Sequence, residues 1–193
     1  MEAVAIAFAV IFVAELGDKS QLIAFTFGSR YPMRWVVGGL LTANLVVQGV
    51  FAFAGGVVGA VVEGPVVGLV GAGLFVVFAV LALRDADDND DDIAVRDPGA
   101  SSGLRVAATV AGALFLAEIG DKTMFATVAL AASEGALPVW VGSFLGMSSA
   151  GLLGAVAGRV LGDRIPERAL RIASAAMFAL VGVWLAWDAL LGL

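Results

Sequence analysis

Glu15-Leu16-Gly17-Asp18-Lys19-Ser20 returns 103 positions later as Glu118-Ile119-Gly120-Asp121-Lys122-Thr123. Each copy sits near the middle of a long apolar run, about 3–27 for the first and 104–132 for the second. Runs of that length suit a helix crossing the ~30 Å of bilayer hydrocarbon. Six formal charges therefore lie at membrane depth. At about 2.5–3.5 kcal/mol per central charge, their insertion costs roughly 15–20 kcal/mol if nothing compensates. Packing alone does not offset that. Two such segments facing each other can satisfy one another, or satisfy a bound cation.

Composition supports the membrane reading. Of 193 residues 61% are hydrophobic and 25 are glycine, with a mean hydropathy of +1.00. A soluble domain of this size cannot hide so much apolar surface, so the class is an all-α, polytopic membrane protein whose partner is the lipid bilayer. The absence of cysteine and histidine excludes disulfides and thiolate or imidazole metal sites, leaving oxygen as the donor for any metal. A net charge of −6 with scattered basic residues excludes a nucleic-acid footprint. The first residues lack a basic leader and carry acids, so they read as a transmembrane helix rather than a signal peptide.

Six apolar segments can be drawn, at about 3–27, 35–62, 66–83, 104–132, 138–160 and 169–192. Glycine and proline mark the breaks, at Tyr31-Pro32, Gly64-Pro65, Gly135 with Pro138, and Ile165-Pro166. The acidic stretch 85–103 reads as a solvated linker between a first half, 1–84, and a second, 104–193. It starts like an EF-hand loop at Asp85, Asp87 and Asn89. However, Asp90 stands where that loop requires glycine, so a dedicated calcium site is not expected there. In a six-helix arrangement Arg30, Arg34, Arg84, Arg96, Arg105, Arg159, Arg164, Arg168 and Arg171 all fall on one side. By the positive-inside rule that side, with the linker, is cytoplasmic and both termini are outside.

Three helices per half give the halves opposite orientation, so the expected architecture is two inverted three-helix repeats with a site at their interface. Gly55 and Gly59, and Gly154, Gly158 and Gly162, recur at the four-residue spacing of close helix packing. Asn44, Gln48 and Ser148 are polar groups inside spans. They either line the site or hydrogen-bond between helices.

On a continuous helix Glu15, Asp18 and Lys19 share a face, as do Glu118, Asp121 and Lys122. Gly17 and Gly120 permit close approach or local unwinding. With Ser20 and Thr123, the set is a hard, all-oxygen site suited to Ca²⁺, Mn²⁺ or Mg²⁺. The lysines are expected to pair with Glu15 and Glu118 of their own helices. Four carboxylates and two lysines leave −2, which one divalent ion or two protons would neutralise. That alternation is what an antiporter requires.

The doubled Glu-x-Gly-Asp-Lys-Ser/Thr motif in a 3+3 helix chain with an acidic central loop resembles the GDT-type cation transporter family of Golgi, chloroplast and prokaryotic membranes. The resemblance implies Ca²⁺/Mn²⁺ transport in exchange for H⁺. It implicates Glu15, Asp18, Lys19 and Ser20 with Glu118, Asp121, Lys122 and Thr123. The metal is then cargo and H⁺ its counter-ion, with no resident cofactor and no enzymatic activity. Two other readings stand beside it, an exporter of a small organic cation such as a basic amino acid, and a passive cation channel. The internal lysines repel an organic ammonium group, and channel filters are usually built from several subunits.

Overall fold

The computed structural model describes residues 1–62, 64–85, 102–161, 175–176, 179–187 and 190. Regular structure among the described residues is helical: α1 (Glu2–Glu15), α2 (Lys19–Arg30), α3 (Met33–Val61), α4 (Gly64–Asp85), α5 (Gly103–Glu118), α6 (Lys122–Glu134) and α7 (Ala136–Leu161), with a further helical stretch at 179–187. Most of the acidic linker, including most of the loop compared with an EF-hand, lies outside the described residues. So does the start of the last apolar segment.

Local chemistry sets the boundaries. Tyr31, before a proline, is extended at φ −125°, and Pro32 then caps α3. Gly135, at φ 94°, separates α6 from α7. Met33–Val61 and Ala136–Val160 are long and apolar enough to cross a membrane, and α5 with α6 forms a third candidate span bent by 72°.

The bend corrects the reading of 3–27 and 104–132 as continuous helices. Each run is two helices, α1 with α2 and α5 with α6, interrupted at the motif. Gly17 and Gly120 carry φ of 79° and 84°, a left-handed conformation that an α-helix does not contain and that favours glycine. The shared helical face of Glu15, Asp18 and Lys19 therefore does not exist, nor does that of Glu118, Asp121 and Lys122.

The packing crosses between the halves. α1 and α2 lie on α7, while α5 and α6 lie on α3. Glycine makes these approaches possible. A Cβ at Gly142 would run into the Val4 carbonyl and Ala7, and one at Gly39 into the Ala107 carbonyl and Val110. Shifting either set by 103 positions gives the other. The same exchange relates Gly158 against the Phe25 carbonyl to Gly55 against the Val128 carbonyl. Gly59 and Gly154 also sit at helix contacts, against Ala132 and Gln21.

A stability test follows from this packing. Gly142→Val should lose about 1–3 kcal/mol through overpacking against backbone. Gly38→Ala, where a Cβ meets nothing within 4 Å among the described residues, should stay within about 0.5 kcal/mol of the parent. Thermal unfolding in detergent compares the two, and equal stability would contradict the packing described.

Candidate cation site

The two interruptions carry the chemistry. In each, a glutamate ends one helix, glycine reverses the local backbone, and an aspartate caps the next helix. Helix ends leave carbonyls on one side and N–H groups on the other without intrahelical partners. Asp121 Oδ2 takes up one of these by accepting from Thr123 N at 3.3 Å. Gly17 N donates to Gln21 Oε1 at 2.6 Å, and Gln21 Nε2 donates to the Ala150 carbonyl at 3.2 Å, tying the break to α7. In the second copy Met124 Sδ, 103 positions on from Gln21, accepts from Gly120 N at 3.4 Å.

Glu15 and Glu118 are each only 2% exposed. With Asp121 they offer carboxylate oxygens that all lie within 4.8 Å of one another. The hydroxyls of both motifs hold the glutamates: Ser20 donates to Glu15 Oε2, and Thr123 donates to Glu118 Oε2 at 2.7 Å. Glu15 Oε1 is buried with no hydrogen-bond partner among the described residues. A buried carboxylate oxygen without a partner is costly unless a proton or cation meets it. The glutamate also lines a cavity of about 10 Å³, walled by Ser20, Leu40, Asn44, Leu114, Met147 and Gly151. That is room for one water-sized sphere.

Asp18, the fourth motif acid, pairs with a lysine of the second motif. Its Oδ1 lies 2.8 Å from Lys122 Nζ, with both side chains partly buried. This corrects the expected pairing of Lys122 with Glu118. The i, i+4 geometry vanished with the helix break, and the lysine reaches the other motif instead. Lys19 occupies an exposed position.

The three polar residues inside spans divide. Asn44 lines the cavity and donates through Nδ2 to Ser148 Oγ at 3.3 Å, so Ser148 acts as a cross-helix partner. Gln48 is fully buried between Thr127 and Met147. Sequence reasoning missed Gln21, Met124, Thr127 and Met147. Treating the surroundings as oxygen alone overlooked two thioethers. For Gln21 and the methionines the signal was the register: at the motif spacing Gln21 corresponds to Met124, and Asn44 to Met147.

A cluster of three close carboxylates, two hydroxyls and a nearby amide can hold a hard divalent cation. Comparison with known proteins points the same way. Residues 3–90 and 106–192 match the family model described as divalent cation/proton antiporter GDT1, and both motifs fall inside the matched stretches. The chain is 28% identical to a GDT1-like protein of Synechocystis, over 92% of this chain and 93% of that one. It is 30% identical to a Vibrio cholerae protein named "Putative manganese exporter", over 95% and 90% of the two chains. Protein PAM71, chloroplastic, of Arabidopsis thaliana is 32% identical over 89% of this chain and 53% of its own length. No solved structure matches.

Proposed function

Because the chain belongs to the GDT1 family of divalent cation/proton antiporters, membrane transporters rather than enzymes, we propose that it exports Mn²⁺ from the cytoplasm in exchange for H⁺, with Ca²⁺ as the competing substrate. One observation carries the reading: Glu15 from one half meets Glu118 and Asp121 from the other, and one buried oxygen of Glu15 has no hydrogen-bond partner among the described residues. The name of the Vibrio relative supports Mn²⁺.

The charges give the exchange its arithmetic. With Asp18 neutralised by Lys122, three carboxylates remain for the ion. One divalent ion then replaces two protons without changing the charge of the site, which keeps both loaded states tolerable in a low-dielectric setting. The site lies near the bilayer midplane, where two three-helix repeats of opposite orientation, 1–84 and 104–193, meet. The glycine contacts that recur after a shift of 103 positions support this arrangement.

Two measurements test the reading. Protein reconstituted in vesicles should move Mn²⁺, and Ca²⁺ less well, only when a pH gradient is imposed, with Mg²⁺ and Na⁺ as comparisons. Flux indifferent to the gradient would mean a passive channel. For orientation, a single cysteine at Ser29 should resist an impermeant reagent in intact cells, whereas one at Glu134 should react. The reverse pattern would invert the topology.

A further inference from the structure

Asn44 on α3 and Met147 on α7 stand 103 positions apart, the spacing of the motifs. Both are buried, and both line the cavity that holds Glu15 and Ser20. The two halves thus bring different residues to equivalent places, an asparagine on one side and a methionine on the other. The thioether is also held. Gln48 Nε2 donates to Met147 Sδ at 2.9 Å, and Thr127 Oγ1 donates to Gln48 Oε1 at 2.8 Å. With its carbonyl taken by Thr127, the Gln48 amide turns its NH₂ toward sulfur. A methionine that merely fills a gap needs no such support, because it packs through adaptable apolar contacts.

We propose that Met147 is a specificity-determining residue for the transported ion, lowering the site's preference for Ca²⁺ and Mg²⁺ relative to Mn²⁺ and softer divalent ions. This rests on the exchanger reading above. Ca²⁺ takes 6–8 oxygen ligands and Mg²⁺ a near-ideal octahedron, so a thioether in the cavity wall removes one place where either would want oxygen. Transition-series ions tolerate sulfur better, the more so the softer they are.

Cadmium, a soft divalent ion close to Ca²⁺ in size, is the sharpest probe. The full chain in detergent is titrated calorimetrically with Cd²⁺, Mn²⁺ and Ca²⁺, as wild type, Met147→Leu and Met147→Gln. Leucine conserves volume without sulfur, and glutamine keeps the length with a hard oxygen. In both variants the ratio of Cd²⁺ to Ca²⁺ affinity should fall about tenfold, the scale on which groups around a metal tune its binding. The Mn²⁺ to Ca²⁺ ratio should fall in the same direction by less. An unchanged ratio in either folded variant, or equal weakening of all three ions, overturns the assignment. Vesicle transport separates the two layers of the argument. A Met147-dependent affinity ratio without proton-coupled flux removes the exchanger and leaves the selectivity residue standing. Proton-coupled flux with a ratio indifferent to Met147 does the reverse.

Discussion

Glu15→Gln should abolish proton-coupled Mn²⁺ transport, a loss of at least about a hundredfold, while the protein still inserts and folds. Glutamine has the size of glutamate and keeps an oxygen that can accept from Ser20, so the packing around position 15 survives. What disappears is the charge on a side chain that is 2% exposed, together with the oxygen that has no hydrogen-bond partner among the described residues. Neutralising a buried acid relieves desolvation rather than adding to it, so thermal stability should hold or rise. Glu118→Gln should behave alike, since Thr123 supports it as Ser20 supports Glu15. Vesicle uptake under a pH gradient, with unfolding temperature measured on the same preparation, decides the matter. Full transport by either variant would end the shared-site model. In the wild type, acidifying both sides should weaken Mn²⁺ binding, because protons compete for the same carboxylates.

Lys122→Gln should slow turnover by ten- to a hundredfold while binding Mn²⁺ at least as tightly as the parent. Lys122 neutralises Asp18 across the two halves, so its removal leaves the empty site one charge more negative. Unit charges about 4 Å apart interact by about 4 kcal/mol at an effective dielectric near 20, and a fraction of that is enough to trap a divalent ion. The site then either holds its cation or takes up a further proton. Calorimetry in buffers of different ionisation enthalpy counts that proton directly, and one more should be released on binding than in the parent. Lys19→Gln, at an exposed position, should have the smaller effect. Unaltered turnover in Lys122→Gln would make the ion pair a bystander.

The all-helical class and the approach of Glu15 to Glu118 and Asp121 could be read from the chain, because apolar length and misplaced charge are strong signals. The ends of α3 and α6 were legible for the same kind of reason, at Pro32 and Gly135. The interruptions were not. Hydropathy across 3–27 and 104–132 is nearly blind to one reversed residue, and a glycine inside an apolar run permits both a straight helix and a left-handed turn. Assigning Lys122 to its own helix failed with the break, since i, i+4 pairing presumes continuous hydrogen bonding. Met147 escaped notice because a methionine in an apolar stripe looks like core. Only its registration with Asn44, and the Gln48 amide placed against its sulfur, set it apart.

The Lys122–Asp18 pair also bears on how the chain is made. The counter-charge for Asp18 lies 104 residues downstream, so a ribosome adding ~5–20 residues per second produces it roughly 5–20 s later. Throughout that interval the first motif exists without the second. Its acids must wait in the translocon or at the membrane surface, or carry protons. Insertion of the first half is therefore provisional until the second arrives. Slowing translation within the intervening linker should lengthen this vulnerable stage and expose the nascent chain to membrane quality control.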